Sequence, residues 1–318
     1  VANSDRARAN LALLGDKSLL FDERETAFLM YAVHGRTWAA LGDPVGQEES
    51  ATELAWRFRE LCDRQGGWPV FYEVGRERLP LYVEQGLTLL KLGEEARVPL
   101  APFSLEGSHR STLRRLRSAA ERAGCVLEVL PAGASDALLP ELERISADWL
   151  AAKRTREKRF SLGRFDPAYV RRFPVALVRS FGHPVAFATL LTTASRAELS
   201  LDLMRYAEDA PPNTMTFLLV QLMLWGRQQG YAWFNLGMAP LAGLQSRALA
   251  PLWTRAGAFL FVQGESFYNF KGLRDYKARF DPVWEPRYLA SPGGLALPFI
   301  LADIAALVGG GYRGVFTK

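Results

Sequence analysis

The run from Ala176 to Leu236 restricts the possible folds more than any other part of the chain. Ala176 to Ser180, Val185 to Thr193 and Ala197 to Leu203 are short apolar stretches separated by turn residues at Gly182 and Ser195. Strands joined this tightly pair as an antiparallel meander. Asn213 then stands where a helix cap belongs, and Met215, Leu218, Leu219, Leu222 and Trp225 line one face through Gln229. Gly230 stops that helix, and Tyr231 to Leu236 reads as a further strand. Meander, loop, helix and strand in this order predict an α/β (α+β) unit, with a mixed, mainly antiparallel sheet flanked by helices.

A similar rhythm precedes it. Ser18 to Phe21 and Ala27 to Val33 read as strands turning through Asp22-Glu23-Arg24, and Thr37 to Leu41 continues them. Glu48 to Arg64 is a helix with Leu54, Phe58 and Leu61 at helical spacing, followed by strands at Pro69 to Val74 and Leu87 to Leu92. The two halves resemble tandem acetyltransferase-like (GNAT-like) domains, and 318 residues are enough for both. We expect the first at 1–131, ending at the Pro131-Ala132-Gly133 hinge, and the second, with the active site, at 132–290. Residues 291–318 remain for a C-terminal apolar or amphipathic helix, Leu295 to Val308, interrupted by Asp303. That run is short for a membrane span, so it is either an interfacial, membrane-proximal helix or one buried against the second domain. The chain starts with Val and shows no signal peptide, as expected of a piece of a longer protein.

Composition narrows the chemistry. With 49% hydrophobic and 23% charged residues the chain is an ordinary globular one, and nothing in it reads as disordered. Cys62 and Cys125 lie in apolar or amphipathic stretches and read as buried thiols. His34, His109 and His183 have no metal-ligand spacing, so no metal is expected.

The net charge of +5 matters only where cations cluster. Arg110, Arg114 and Arg117 share a face of a helix expected from Glu106 to Ala123, capped by Ser108 and stopped by Gly124. The segment from Lys153 and Arg154 through Arg156 to Arg159 holds five cations in seven residues. Each is either a solvated face or a contact for phosphate.

Three further stretches combine charge with apolar or aromatic neighbours: Ser200-Leu201-Asp202-Leu203-Met204-Arg205, Phe234-Asn235-Leu236-Gly237-Met238-Ala239-Pro240-Leu241, and Phe270 to Tyr288. The turn where an acetyltransferase would cradle a coenzyme A pyrophosphate reads Ala207-Glu208-Asp209-Ala210-Pro211-Pro212-Asn213. Its two acids repel a phosphate and its prolines remove N–H donors, which disfavours acetyl-CoA.

Together these motifs resemble the C-terminal domain of the aminoacyl-phosphatidylglycerol synthases, the MprF-type multiple peptide resistance factors. The resemblance implies transfer of an amino acid from aminoacyl-tRNA to phosphatidylglycerol, alanine first and lysine next, with no further cofactor. It also implies an N-terminal integral membrane flippase domain in the full-length protein and a place on the cytoplasmic face of the bacterial inner membrane. Modified membrane charge and resistance to cationic antimicrobial peptides follow from the same resemblance. A FemX-like aminoacyltransferase acting on a peptidoglycan precursor and a non-catalytic RNA- or lipid-binding module remain as alternatives.

Such a transfer needs a proton acceptor, donors for an oxyanion and a cation for the lipid phosphate. Asp202 is the expected base or ligand of the substrate ammonium, and Arg205 is its partner or a phosphate ligand. Ser200 is a donor without a nearby His, which argues against a nucleophilic triad. Lys277 and Arg279, read as alternating on an extended piece, would grip the lipid phosphate, with Tyr276 and Phe280 beside them. Asn235 and Gly237 would position the carbonyl with backbone N–H groups at a splayed strand end. Arg110, Arg114, Arg117, Lys153, Arg154 and Arg156 would meet tRNA phosphates or anionic headgroups.

Overall fold

The structure is a computed structural model that describes residues 1, 4–243 and 270–311. After a 3-10 helix at Ala7–Leu14, the N-terminal part runs β1 (Ser18–Phe21), β2 (Phe28–His34), β3 (Thr37–Leu41), α1 (Glu48–Arg64), β4 (Trp68–Val74), α2 (Leu79–Glu84) and β5 (Thr88–Pro99). The chain continues through α3 (Ser111–Arg122), β6 (Cys125–Leu130), α4 (Leu139–Ala152), α5 (Pro167–Val170), β7 (Val175–Ser180), β8 (His183–Thr192) and β9 (Glu198–Tyr206). It closes with α6 (Thr214–Gln228), β10 (Trp233–Pro240), α7 (Phe270–Ala278), β11 (Val283–Ser291) and α8 (Leu297–Gly309).

The described strands join one 11-stranded sheet in the order β1-β2-β3-β4-β11-β5-β10-β9-β8-β7-β6. Its neighbours pair antiparallel except β3 with β4 and β9 with β10. Those two parallel pairs are joined by α1 and α6, because a parallel return needs a crossover. The same strand–helix–strand device therefore occurs once in each half, within a mixed α/β fold of mainly antiparallel character.

The expected division at residue 131 does not coincide with the two halves of this sheet. β6, before Pro131, pairs with β7, and α3 packs on α6. β11 comes from the far end of the chain yet lies between β4 and β5. Pro286 stands within it, opposite Glu94 of β5, before β4 joins at Tyr288. Its missing N–H thus falls where β11 has β5 alone as a neighbour.

Helical spacing placed α6 correctly but not its cap. Asn213 takes the left-handed conformation at φ 71° and makes no side-chain cap bond. Ser108 likewise opens a 3-10 turn, Ser108–Arg110, rather than capping a long helix.

α8 packs on β2 and β3 with Leu297, Ile300, Leu301 and Ile304 buried, and the same apolar cluster takes in Phe160, Tyr169 and Phe173, so it rests on both halves. Among its neighbours at that end, Leu295 and Phe299 stay 88% and 64% exposed. Asp303 is buried in this apolar helix, 2.7 Å from the Thr37 hydroxyl and 2.9 Å from His34 Nδ1. A buried carboxylate tolerates the loss of a donor poorly. Thr37→Val, which keeps the shape and removes the hydroxyl, is expected to cost about 1–3 kcal/mol in urea unfolding.

Candidate active site

The site is built on two irregularities in neighbouring strands. In β9 the register against β8 shifts between Leu201, opposite Leu190, and Met204, opposite Ala188. One extra residue is accommodated there, and the Thr189 hydroxyl accepts the Leu203 N–H at 3.0 Å. The bulge resets the alternation of faces, so Leu201 and Met204 pack with α6 while Leu203 packs with α4. It also lets Asp202 and Arg205, three apart, share the α4 face, where plain alternation would separate them.

Asp202 is held by the segment before and within α5. Gly163 N–H donates to Oδ1 at 2.7 Å and the Tyr169 hydroxyl to Oδ2 at 3.0 Å. Asp166 caps α5 by accepting the Ala168 and Tyr169 N–H groups, which fixes Tyr169. Burial pushes the Asp202 carboxyl above its ordinary value, opposed by those two donors and by the charges of Arg205 and Lys17. Burial also raises the Tyr169 phenol, and the neighbouring Asp202 charge adds to the effect, so Tyr169 remains a donor. A buried carboxylate with raised proton affinity is equipped to accept a proton.

Among the described residues Arg205 pairs with Glu157 rather than with Asp202, on which its charge still acts. Its Nη2 lies 3.2 Å from Glu157 Oε2, and its guanidinium stacks 4.2 Å from the Trp149 ring. Glu157 comes from the basic loop and also accepts the Phe165 N–H at 3.2 Å. Arg205 therefore ties that loop to β9.

The parallel pairing of β9 with β10 ends at Ser200 and Asn235, after which the strands diverge. Ser200 Oγ donates to the Asn235 carbonyl at 3.1 Å, closing the last rung, and has no base beside it among the described residues. β10 shifts register between Asn235 and Met238, with Gly237 at φ 78°. The Gly237 N–H donates to Asn235 Oδ1 at 2.8 Å, so this donor is spent on the bulge rather than displayed to a substrate.

Lys277 and Arg279 do not alternate on a strand as expected. The apolar spacing of Leu273, Tyr276 and Phe280 is helical, and Lys277 lies in α7 with Arg279 just beyond it. Lys277 is 7% exposed, and its Nζ donates to the carbonyls of Gly237 and Met238 at 3.0 and 2.8 Å. Burial lowers this ammonium to about 8, against the pull of Glu95 and Glu73. Tyr276 reaches Thr216 of α6 at 3.3 Å, and the exposed Arg279 stacks over Tyr276 at 5.6 Å. Tyr276 and Phe280 pack with α6, while Tyr169 packs with α8, so Lys277 and Asp202 flank the splay from opposite faces of the sheet.

The first basic cluster is only partly displayed. Arg110 is buried against Phe103, bonded to the Arg279 carbonyl at 3.1 Å and paired with Asp281 at 3.0 Å, so it fastens the end of α7. Arg114 caps the carbonyls of Leu105 and Gly107, and Arg117 pairs with Glu121 at 2.8 Å. In the second cluster Lys153 lies 5.5 Å over Tyr206, while Arg154 and Arg156 are exposed.

One buried network was not foreseen from the sequence, although Glu285 and Arg287 of it lie in the Phe270 to Tyr288 stretch. Beneath the 3-10 helix, Arg8 meets Glu73 at 2.7 Å and Glu95 at 3.1 Å, and Arg287 pairs with Glu95. Arg97 joins Glu198 at 3.1 Å and Glu285 at 2.7 Å. Asn235 extends the network to the β10 bulge through its bond to Glu95. These charges come from β4, β5, β9, β11 and the 3-10 helix, so no local spacing announces them.

The network sets a pH dependence. Burial acts to raise Glu95, but Arg8 and Arg287 hold it down at about 2, below its ordinary 4.5. The folded protein then binds fewer protons than the unfolded chain between those values. Stability from Glu95 is present in full above about pH 5 and falls as pH drops towards 2, by a few kcal/mol. Urea midpoints between pH 6 and 3 should show this loss, and should show less of it in Glu95→Gln.

The family model for the C-terminal region of phosphatidylglycerol lysyltransferase matches residues 1–291. The chain belongs to this family. A phosphatidylglycerol lysyltransferase of Bacillus subtilis (strain 168) is 37% identical over 305 residues, covering 95% of this chain but 35% of the relative. The chain thus spans about a third of the length of such relatives. The C-terminal DUF2156 domain of an Agrobacterium fabrum protein, assigned to the lysylphosphatidylglycerol synthetases, is 44% identical with a TM-score of 0.90, covering 99% of this chain and 96% of that one. L-PGS from Bacillus licheniformis is 34% identical with a TM-score of 0.85, covering 95% and 92%. FemX, at 9% identity and a TM-score of 0.58 over 90% of both chains, shares the fold.

Proposed function

We propose that this chain transfers an amino acid from aminoacyl-tRNA to a glycerol hydroxyl of phosphatidylglycerol. The observation that supports this best is Asp202, a buried carboxylate of raised proton affinity beside the β9–β10 splay, in a chain of this family. The glycerol oxygen attacks the ester carbonyl carbon and its proton passes to Asp202. The tetrahedral oxyanion then collapses, the bond to the ribose oxygen breaks, and that oxygen takes the proton back. The scheme runs without a covalent enzyme intermediate, in keeping with Ser200 having no base beside it among the described residues.

Lys277 spends two of its N–H groups on β10 carbonyls, and its third faces the developing oxyanion in this scheme. Arg279 shares its side of the sheet with α3, whose Arg115 and Arg122 are exposed, and we assign that side to tRNA phosphates. Lysine is the first amino acid to test, since the relatives' names carry it. Alanine is the second, because Asp16 and Glu157, the acids near Asp202, are already engaged by Lys17 and Arg205.

The test offers two acceptors to tRNA charged with labelled lysine or alanine: phosphatidylglycerol vesicles and a peptidoglycan-precursor peptide. Label is expected on the lipid alone. Label on the peptide would favour the FemX-like reaction, and label on neither would leave only a binding module.

A further inference from the structure

A run of buried bonds joins the Lys277 ammonium to the ion-pair network beneath the 3-10 helix. Its Nζ donates to the carbonyls of Gly237 and Met238 at 3.0 and 2.8 Å. The Gly237 N–H donates to Asn235 Oδ1 at 2.8 Å, and the same side-chain amide bonds to Glu95. Glu95 also stands opposite Met238 in the pairing of β5 with β10, so both carbonyls that hold Lys277 are set by Glu95 or by its bonded partner. Glu95 and Asn235 are 3% and 6% exposed, and little water competes for these bonds.

Glu73 approaches from β4. It is the extra residue where β4 and β11 shift register, between Tyr72, opposite Leu289, and Val74, opposite Tyr288. At φ 64° it takes a left-handed conformation that a residue with a Cβ rarely adopts, and its carboxylate meets Arg8 at 2.7 Å. Strain of this kind persists where the surroundings impose it, and it gathers at functional sites. Glu73 and Glu95 both favour the charged form of Lys277, against the burial that disfavours it.

The other charges around Lys277 are engaged among themselves or face solvent. In α7, Arg274 lies 3.7 Å from Glu94, which lies 2.8 Å from Lys91, while Asp275 and the following Arg279 are exposed. Arg97 holds Glu198 and Glu285, and Arg287 and Arg8 are bonded within the network itself. α6, packed against Tyr276, carries a single charge, Arg227, bonded to the Phe103 carbonyl at 2.7 Å. Among the described residues, Glu95 and Glu73 are the acids whose charge reaches the ammonium.

We infer that Glu95 and Glu73 are positioning residues for Lys277: they supply its counter-charge, and Glu95, through Asn235, fixes the β10 carbonyls that aim its ammonium. The purpose of this device rests on the proposed transfer, in which an ammonium held charged and in place receives the oxyanion. Its measurement does not rest on that reaction. The network then does two things, holding the sheet together and keeping a buried cation ready, and the second is separable from the first by titrating Lys277 itself.

The experiment is an NMR titration of the 318-residue chain labelled with 13C at the lysine ε carbons, the Lys277 signal being identified by its loss in Lys277→Arg. In the wild type that signal should titrate near pH 8. Glu95→Gln is expected to move it about one pH unit lower, because removing a nearby negative charge favours the neutral amine. Glu73→Gln and Asn235→Ala should also move it down, and they decide the matter if Glu95→Gln fails to fold. Glu121→Gln, at the exposed end of α3, should leave it in place. Where transfer is measured, Glu95→Gln should be about tenfold slower than wild type above pH 8 and close to it at pH 6. Folded variants with lower urea midpoints but a wild-type Lys277 titration would overturn the inference, since a purely structural network predicts that result. If the titration moves while the wild type never transfers, the positioning role stands and the proposed reaction falls. If the wild type transfers and neither the titration nor the basic limb of the pH–rate profile moves in the variants, the reaction stands and the positioning role falls.

Discussion

Asp202→Asn is expected to lower aminoacyl transfer by about 10³-fold, within the range found for removal of a general base. The amide keeps the size and one acceptor oxygen but loses the ability to take a proton at neutral pH. Gly163→Ala should reach a comparable loss without touching Asp202, because a Cβ at residue 163 would stand 1.8 Å from Asp202 Oδ2. Either the carboxylate or the loop must move, and a displacement of that size removes productive alignment. Tyr169→Phe separates these effects from simple misfolding. Its hydroxyl helps keep Asp202 ionised, so its loss should move the acidic limb of the pH–rate profile upward while activity persists at high pH. A pH profile identical to wild type would remove Asp202 from the role of base.

The second large effect concerns stability. Arg8→Leu is expected to destabilise the protein by about 3–5 kcal/mol, the cost of breaking a buried ion pair from one side. Arg8 stands between Glu73 and Glu95, and its loss leaves two carboxylates with reduced compensation near Glu198. Because these acids come from β4, β5 and β9, the loss should appear as a lower urea midpoint for both halves at once. A change of less than about 1 kcal/mol, the usual size for a surface pair, would show the network to be solvated.

Much of this architecture was readable because periodicity is local. The meander β7–β8–β9, the helix α6 and the start of β10 follow from alternation and from the spacing of Leu218, Leu222 and Trp225. β11 was not readable, since Pro286 argues against a strand, and Glu285 and Arg287 look like surface charges until Glu95 and Arg97 are seen beside them. The stretch from Phe270 to Tyr288 was read as extended at Lys277 and Arg279, but its first part is helical, so Lys277 points to β10 carbonyls and not along one strand face with Arg279. Asp202 and Arg205 were chosen as a pair for their chemistry. Their shared face depends on a bulge, and a bulge has no signature in a single strand's sequence. Tyr169, Gly163 and Lys17 were missed because they lie 33 or more residues away along the chain and reach Asp202 only through the fold.

The most direct measurement is the appearance of solvent-extractable aminoacyl lipid when the chain is incubated with phosphatidylglycerol vesicles and lysyl-tRNA or alanyl-tRNA carrying a labelled amino acid. Label is expected in the lipid phase with the wild type, none after ribonuclease treatment of the tRNA, and about a thousandfold less with Asp202→Asn. Label that stays entirely in the aqueous phase with the wild type, or equal lipid labelling by Asp202→Asn, would contradict the proposed transfer.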